Sequence, residues 1–239
     1  MESLSGKIAI VTGGTRGIGR AIAERLLGEG ASVAICGRGA DSVARAVAEM
    51  KPLGAIFGHP ADVADPAQVE RFFQAVDSAF GGLDILVNNA GVGVFQKVGD
   101  MTIDDWRRNI DPNLNGPFYC SRQALPRFAR RGGGFIVNIS SLAARNAFSG
   151  GAAYNASKAA LNLFTEALML DHRQENLRVC SIMPGSVDTR FGADSGFRAA
   201  DASWMIAPED VAEAVSTVLR MPARTMISRV EMRPSRPKK

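Results

Sequence analysis

Cysteine is scarce in this sequence, and the three cysteines present are far apart. Cys36, Cys120 and Cys180 form no CxxC pair and no group with either of the two histidines. A structural zinc site needs several closely spaced Cys or His ligands, and a disulfide framework needs cysteines that can pair. The sequence favours neither, so we expect buried, reduced cysteines and no bound metal.

Long apolar runs are also missing, since none approaches the ~20 residues of a membrane-spanning helix. The first residues, MESLSGKIAIVTGG, enter a strand-like run without the basic and apolar parts of a secretion signal. The net charge of +4 is concentrated in a tail ending RPSRPKK rather than spread over a broad basic face. We therefore expect a cytoplasmic protein with no membrane and no nucleic-acid partner.

What the sequence does contain is a regular alternation of two patterns over its whole length. Continuous Val/Ile/Leu runs are typical of strands buried on both faces of a parallel sheet. They occupy 7–12, 32–37, 55–59, 84–89, 134–140, 177–183 and 226–232. Amphipathic stretches predict helices over 17–29, 40–51, 66–80, 104–130 (with a break), 151–175 and 208–220. This order predicts an α/β fold, a doubly wound parallel sheet flanked by helices, forming one domain over 1–239.

A glycine-rich turn follows the first strand. TGGTRGIG (12–19) stands between that strand and a helix, where backbone N–H groups and the helix N-terminus can hold a pyrophosphate. A plain strand–helix turn is the alternative. The candidate nucleotide contacts of this turn are Gly13, Thr15, Arg16, Gly17, Ile18 and Gly19.

The end of the second strand bears on the choice between NAD and NADP. A carboxylate there would bind the ribose hydroxyls of NAD, but Arg38 stands there instead and Arg16 lies in the glycine turn. Guanidinium groups bind a 2′-phosphate, which favours NADP(H). After the third strand, Asp62 is a candidate to accept from the adenine amino group, with a cap for a helix at 65–80 as the alternative, and Val63 is a further candidate cofactor contact.

Four motifs in order resemble the short-chain dehydrogenase/reductase family. They are TGGTRGIG (12–19), NNAG (88–91), YNASK (154–158) and PGSVDT (184–189), and the resemblance runs through residue 232. It implies a Rossmann fold with a seven-stranded sheet and an NADP(H)-dependent oxidoreductase that interconverts a ketone and a secondary alcohol. It also implies a homodimer or homotetramer, formed through the helices at 104–130 and 151–175.

The resemblance also implies a catalytic set of Asn113, Ser141, Tyr154 and Lys158. Ser141 lies 13 residues before Tyr154, and Lys158 lies four after it, on the same helix face. Asn113 opens an NLNG segment, with Asn109 and Asn115 as less favoured neighbours and Pro112 expected to interrupt the helix. Taken singly, these residues have ordinary structural readings, but their joint spacing favours chemistry.

Each residue type suits carbonyl reduction. A tyrosine with a pKa near ~10 is a poor acid at neutral pH, so we expect the charge of Lys158 to lower the pKa of Tyr154. Ser141 would donate a hydrogen bond to the substrate oxygen, and Asn113 would hold a water that links Lys158 to solvent. Further contacts implied for the cofactor are Tyr154, Lys158, Asn89, Ala90, Gly91, Pro184, Gly185, Val187 and Thr189.

The substrate is expected to lie under a short lid at about 190–207. Phe191 and Trp204, with Phe197 and Met205, would form an apolar wall or pack the lid down, and Phe95 and Phe148 would complete the pocket. The expected substrate is a small carbonyl compound, with a 3-oxoacyl thioester, a 3-hydroxy acid and a serine-type compound as alternatives. Arg127, Arg130 and Arg131 would offer a basic patch to an acidic carrier protein, or form a helix-end charge cluster.

Two other classes of function remain as alternatives. A non-catalytic NADP(H)-sensing regulator on the same fold would have no need for a proton donor such as Tyr154. A nucleic-acid-binding module would need more than the basic tail.

Overall fold

A single parallel sheet of seven strands organises the chain. The computed structural model describes residues 1–189, 191 and 202–237. The strands are β1 (Ile8–Thr12), β2 (Ser32–Gly37), β3 (Ile56–Pro60), β4 (Ile85–Asn88), β5 (Gly134–Ile139), β6 (Leu177–Pro184) and β7 (Arg229–Met232). Their order is β3-β2-β1-β4-β5-β6-β7, and every neighbouring pair is parallel. The predicted α/β fold with seven parallel strands is confirmed.

The alternation of side chains along each strand builds two separate cores. In β1, Ala9 and Val11 point to one face of the sheet, and Ile8 and Ile10 point to the other. The described part of the chain contains seven helices: α1 (Gly17–Gly28), α2 (Ala40–Met50), α3 (Pro66–Phe80), α4 (Ile103–Ile110), α5 (Gly116–Arg131), α6 (Ala152–His172) and α7 (Pro208–Leu219). Residues of α1, α2 and α7 fill the first core, and residues of α3, α5 and α6 fill the second. Burial on both faces explains why the strands read as continuous apolar runs.

Helix boundaries follow local chemistry. Pro66 and Pro208 begin α3 and α7, where a missing N–H is harmless. Asp65 caps α3 by accepting the N–H groups of Ala67 and Gln68. The alternative role of Asp62 as this cap is therefore wrong, because its Oδ1 instead accepts the N–H of Ala64 at 3.0 Å.

The long helix expected over 104–130 is interrupted as Pro112 predicts. Between α4 and α5 the chain forms one π-helical turn at Asp111–Asn115, which relieves the clash between the proline ring and the preceding turn. This wide turn places Asn113 inside the protein, where it is fully buried.

Ion pairs of the α5 arginines within the chain favour the alternative of a helix-end charge cluster over a landing patch for an acidic partner. Arg127 is buried and pairs with Asp77 at 2.7 Å, and Arg131 pairs with Asp84 at 3.1 Å. Both positive charges are neutralised within the chain, because these carboxylates lie at the end of α3 and the start of β4.

Within residues 1–189, 191 and 202–237, no helix is long and apolar enough to cross a bilayer. In the same part of the chain, no group of three or more His, Cys, Asp or Glu residues is arranged to hold a metal ion.

Candidate active site

The strand order reverses between β1 and β4, and the glycine-rich turn lies at the carboxyl end of β1. Ligands of open α/β sheets bind at such a reversal. Gly13 and Gly17 have φ of +66° and +55°, which side-chain-bearing residues rarely adopt. A Cβ on Gly19 would collide with Asn89 Nδ2 and the carbonyl group of Gly13. The turn therefore presents bare backbone beside the N-terminus of α1, as pyrophosphate binding requires.

Thr12, which the sequence analysis did not single out, joins this turn to the end of β4. Its Oγ1 accepts the N–H groups of Asn89 and Ala90, both at 3.0 Å. Asn89 Nδ2 donates in return to the carbonyl oxygens of Thr12 at 2.9 Å and Gly13 at 3.3 Å. A threonine closing a buried strand just before a glycine turn was the available sequence signal.

The two arginines expected to favour NADP(H) lie on neighbouring pieces of chain. Gly37 precedes Arg38, and Thr15 precedes Arg16. These two residues lie side by side, since a Cβ built on Gly37 would stand 3.1 Å from Thr15 Cγ2. Both arginines are exposed, and neither forms an ion pair with any other residue that the structure describes. Val63 is buried against Gly116, where a Cβ would stand 2.9 Å from Val63 Cγ2.

Tyr154, Lys158 and Ser141 come together at the junction of β5 and α6. The Nζ of Lys158 donates to the carbonyl oxygen of Ile139 at 2.9 Å and lies 5.9 Å from the centroid of the Tyr154 ring. A side-chain hydrogen bond joins Tyr154 and Ser141. Ser141 Oγ also accepts the N–H of Ala143 at 3.1 Å, which fixes the turn after β5. The hydroxyl groups of Tyr154 and Ser141 and the ammonium group of Lys158 thus lie together at the carboxyl edge of the sheet.

Burial controls the proton affinities of both groups. It raises the pKa of Tyr154 to about 12, and the hydrogen bond with Ser141 opposes this shift. Burial lowers the pKa of Lys158 from 10.5 to about 8. The expectation that Lys158 would lower the pKa of Tyr154 is wrong for this geometry, because desolvation of the phenolate outweighs other influences. Tyr154 is a protonated hydroxyl at neutral pH and suits the role of proton donor.

Asn113 is buried beside these groups and binds backbone. Its Oδ1 accepts the N–H of Val92 and its Nδ2 donates to the carbonyl oxygen of Val92, each at 2.9 Å. The same Nδ2 lies 3.1 Å from Ser157 Oγ, which donates to the carbonyl oxygen of Tyr154 at 2.8 Å. Asn113 therefore links the segment after β4 to the turn of α6 that carries Tyr154.

Asn109 and Asn115, the less favoured neighbours of Asn113, differ from each other in their surroundings. Asn109 is fully buried and makes the same pair of bonds with Val94, both at 3.1 Å. Asn115 only donates to the carboxylate of Asp111 at 2.8 Å. Spacing of four residues from Asn113 was the signal that could have identified Asn109.

Aromatic side chains form the outer wall of the site. The ring of Phe95 lies 5.6 Å from Tyr154 and 5.5 Å from Phe148, and the ring of Phe191 also lies 5.6 Å from Tyr154. Trp204 is half-buried. Phe197 and most of the predicted lid, at 190 and 192–201, lie outside the described residues.

The segment after β6 returns toward the glycine turn. Gly185 donates its N–H to Met232 on β7 at 2.8 Å, and Val187 pairs with Ile206. A Cβ on Gly17 would stand 3.4 Å from Thr189 Cγ2, so Thr189 faces the glycine turn. Pro184, the last residue of β6, accepts from Ser141 at 3.5 Å. The structure thus brings the residues predicted from all four motifs to one edge of the sheet.

Known proteins share this architecture along nearly the whole chain. A sequence profile described as short chain dehydrogenase matches residues 7–197. An uncharacterised oxidoreductase of Staphylococcus aureus (strain N315) is 34% identical over 234 residues, covering 98% of this chain and all of the relative.

Two solved structures extend the comparison. An alcohol dehydrogenase of the archaeon Thermococcus sibiricus, complexed with 5-hydroxy-NADP, is 27% identical with a TM-score of 0.89 and covers 98% of this chain and 99% of its own. A serine dehydrogenase in a closed form, complexed with NADP⁺, is 33% identical with a TM-score of 0.87 and covers 94% of each chain. From the match of the profile, the relative and the fold, this chain belongs to the short chain dehydrogenase family of oxidoreductases.

Proposed function

We propose that this protein is an NADP(H)-dependent oxidoreductase that interconverts a ketone and its secondary alcohol. The observation that carries the proposal is the grouping of Tyr154, Ser141 and Lys158 at the sheet edge, beside a glycine turn of bare backbone. A proton donor, an oxyanion donor and a cation next to a nucleotide cradle are the parts that carbonyl reduction needs.

The chain offers a site that fits a dinucleotide. The open backbone at Gly13 and Gly17 suits the pyrophosphate, and the exposed guanidinium groups of Arg16 and Arg38 suit a 2′-phosphate. Asp62 and Val63 would hold the adenine. Residues assigned to the rest of the nucleotide are Thr15, Ile18, Gly19, Asn89, Ala90, Gly91, Pro184, Gly185, Val187 and Thr189. When bound, the cofactor supplies or accepts the hydride, and both solved neighbours described above hold an NADP-type nucleotide.

The protein's own groups then handle the proton and the oxygen. Tyr154 gives its hydroxyl proton to the developing alkoxide, and Ser141 donates a hydrogen bond to the same oxygen. Lys158 holds the nicotinamide ribose and returns a proton to Tyr154. Asn113 connects Lys158 to solvent through a water. Water is kept from the reacting carbon by the aromatic side chains around Tyr154.

The substrate is a small ketone or the matching alcohol. A 3-oxoacyl thioester remains a candidate as a free thioester, but the burial of Arg127 and the ion pairs of Arg127 and Arg131 within the chain count against an acidic carrier protein. The likeness to a serine dehydrogenase supports a 3-hydroxy acid or serine-type substrate as the second candidate.

Replacement of the tyrosine separates an enzyme from a nucleotide-sensing regulator. Tyr154→Phe should bind NADPH within about 2-fold of the native affinity and lose at least ~10³-fold in turnover of a ketone panel. Ser140→Ala is the matched control, because Ser140 Oγ only donates to the carbonyl oxygen of Lys158 at 3.3 Å. Full activity of Tyr154→Phe would show that the proton donor is assigned wrongly.

Comparison of the two nicotinamide nucleotides tests the roles of the arginines. We expect NADPH to be preferred at least ~10-fold in kcat/KM, and Arg38→Leu together with Arg16→Leu to remove that preference. A native preference for NADH would contradict this part of the proposal.

The protein is further proposed to be a homodimer or homotetramer that pairs α5 and α6 of two copies. Exposed apolar side chains lie on these helices: Phe118 is 47% exposed on α5, and Leu163 and Leu170 are 70% and 58% exposed on α6. Leu163→Glu should shift the mass measured by light scattering toward the monomer, whereas Leu53→Glu, an exposed site on another part of the molecule, should not. An unchanged mass for Leu163→Glu would contradict this arrangement.

A further inference from the structure

A cleft of about 280 Å³ opens between α6 and the edge of the sheet formed by β6 and β7. β6 has eight residues and β7 has four, and their pairing begins at Ser181 and Arg229. The first half of β6 therefore extends past the start of β7, which leaves room beside α6. The walls of the cleft include Asn162, Thr165 and Glu166 of α6, Val179 and Ser181 of β6, and Arg229 of β7.

This cleft is separate from the candidate active site. Its α6 residues, from Asn162 to Met169, follow Tyr154 by eight to fifteen positions in the chain. At 1.5 Å per residue, they lie about 12 to 22 Å from Tyr154 along the helix. None of the residues assigned to the proposed reaction lies in its walls. A ligand in the cleft would therefore be neither the substrate nor the cofactor of that reaction.

Two N–H groups of the cleft wall donate to thioether sulfur rather than to oxygen. The backbone N–H of Val179 donates to Met226 Sδ at 3.3 Å, and Nδ2 of Asn162 donates to Met183 Sδ at 3.0 Å. The sulfur of methionine is a weak acceptor on an unbranched, adaptable side chain. A carboxylate oxygen would bind either donor more strongly than the sulfur does, because charge-assisted hydrogen bonds are the stronger ones.

Arg229 and Glu166 place one charge of each sign in the cleft. Nη2 of Arg229 lies 3.7 Å from Oε2 of Glu166, and the two side chains are 48% and 52% exposed. At this distance the two groups attract each other without forming a hydrogen bond. An ion pair with this exposure stabilises the fold little, so a ligand can separate the two side chains easily.

The two charges disfavour a ligand that carries a single sign of charge. An anion attracted by Arg229 would meet the carboxylate of Glu166, and a cation attracted by Glu166 would meet the guanidinium group of Arg229. An α-amino acid carries its ammonium and its carboxylate on the same carbon, so it can pair with both residues at once. An apolar side chain on that carbon would contact Val179 and Met169, the apolar part of the wall.

We propose that this cleft binds a free α-amino acid with an apolar side chain. The carboxylate pairs with Arg229 and accepts from the N–H groups of Asn162 and Val179, and the ammonium pairs with Glu166. The volume of about 280 Å³ suits a ligand of this size, since larger ligands occupy larger pockets. This inference does not depend on the proposed function, because the cleft and the candidate active site share no residue.

Three ligands of matched shape test the proposal by calorimetric titration of the native protein. L-leucine carries both charges, 4-methylpentanoate lacks the ammonium, and 3-methylbutylamine lacks the carboxylate. L-leucine has neither a ketone nor a hydroxyl group, so it is no substrate of the proposed reaction. We expect L-leucine to bind at least ~5-fold more tightly than either of the others, because each of them loses one ion pair.

Two results of this titration would overturn the proposal. One is an affinity for 4-methylpentanoate or 3-methylbutylamine equal to that for L-leucine. The other is the absence of any binding of L-leucine up to about 20 mM, well above the millimolar Kd that a few surface contacts supply.

Replacement of either charge locates the ligand. Arg229→Met and Glu166→Gln should each weaken the binding of L-leucine at least ~5-fold. Arg107→Met is the matched control, because Arg107 also lies 3.7 Å from a carboxylate, that of Asp104 on α4, and is 66% exposed. The control should leave the Kd for L-leucine unchanged. Native affinity in Arg229→Met would show that the amino acid binds elsewhere and would overturn the proposal.

Exchange of the two charges tests the pairing itself. Arg229→Glu places two carboxylates in the cleft and should weaken the binding of L-leucine at least ~10-fold. Addition of Glu166→Arg restores one charge of each sign, so the double variant should recover at least ~3-fold of that loss, with the amino acid reversed. No recovery would overturn the pairing of a zwitterion with these two residues.

Tyr154→Phe separates the cleft from the candidate active site. This variant should bind L-leucine within ~2-fold of the native affinity, and saturating L-leucine should raise its melting temperature as it does that of the native protein. The melting temperature of Arg229→Met should respond less. A loss of L-leucine binding in Tyr154→Phe would place the ligand at the candidate active site and overturn the proposal.

Discussion

Lys158 carries its charge where the surroundings oppose it. The side chain is 4% exposed, and burial lowers its pKa to about 8. Its main partner in the structure is one carbonyl oxygen, that of Ile139. A buried cation with a single neutral partner is stabilised less than the same cation in water. Groups whose pKa is shifted in this way are found mostly at functional sites, where the chemistry requires them.

Lys158→Met should therefore raise stability and abolish activity. The pKa is lower in the folded state than in the unfolded chain, so the charged form destabilises the fold at pH values below about 8. This penalty declines as pH rises from about 8 to 10.5. We expect the free energy of unfolding at pH 7 to increase by about 1–3 kcal/mol, with the difference shrinking by pH 10. Urea denaturation measures this difference in the free energy of unfolding. Lys97→Met, at an exposed lysine, is the control. A loss of stability in Lys158→Met at pH 7 would contradict the argument.

The absence of a side chain at Gly19 is needed for the close packing of the glycine turn against Asn89. Gly19→Ala would drive a methyl group into Asn89 and the carbonyl of Gly13. We expect the Kd for NADPH to rise at least ~10-fold and the free energy of unfolding to fall by about 1–3 kcal/mol. Gly28→Ala, in the same helix with nothing within 4 Å, should raise stability by up to ~1 kcal/mol and leave the Kd unchanged. Equal effects of the two variants would contradict this reading of the turn.

At the scale of elements, α3 and α5 are joined by one buried ion pair. Arg127 donates from Nε and Nη2 to Asp77 at 2.7 to 3.1 Å and lies over the ring of Phe73 at 5.1 Å. The side chain of its neighbour Arg130 is 63% exposed, and its Nη2 lies farther away, 4.0 Å from Oδ1 of the same carboxylate. The two arginines lie close together in the sequence, but only Arg127 is buried against the carboxylate of Asp77, so we expect their replacement to affect stability differently.

Arg127→Met should lower the free energy of unfolding by about 2–3 kcal/mol, since it leaves a partly buried carboxylate without its partner. Arg130→Met should change it by less than about 0.5 kcal/mol, as exposed ion pairs do. Chemical denaturation of both variants under the same conditions decides the matter, and equal losses would contradict the assignment.

At the scale of the whole molecule, the three cysteines make the fold sensitive to alkali. Burial raises the pKa values of Cys36 and Cys180 to about 12 and holds that of Cys120 well above its usual value. Thiols of the unfolded chain ionise near pH 9 while the folded thiols stay neutral, so stability is full below pH 9 and is lost from there toward pH 12.

We expect the Cys36 and Cys180 thiols each to remove about 1–2 kcal/mol of stability between pH 8 and 10.5, and the Cys120 thiol to act in the same direction. Over the same pH range, the lowered pKa of Lys158 makes stability rise with pH. This is a single group, whereas three thiols make stability fall. Urea denaturation of the native protein and of Cys180→Ala should show a shallower decline in the variant, whatever its baseline stability. Identical slopes would contradict the argument.

The sequence by itself determined the elements and their order. Buried parallel strands must be apolar on both faces, so the seven runs were visible, and prolines marked the starts of α3 and α7. Motif spacing also pointed to Ser141, Tyr154 and Lys158, because a helix fixes which residues share a face and a strand end fixes where the serine lies. Pro112 even located the interruption between α4 and α5, although not its π-helical form.

Only the tertiary structure decided what surrounds these residues. The pKa of Tyr154 moves up because burial outweighs the hydrogen bond with Ser141, and burial is a property of the packed molecule. Arg127 turns inward because Asp77, distant in sequence, meets it there, and Arg131 pairs with the equally distant Asp84 at the surface. Asn109 gains its partner Val94 only once α4 lies beside the chain after β4. Local sequence fixes backbone geometry through short-range sterics, whereas proton affinities and side-chain partners depend on contacts that exist only after the chain has folded.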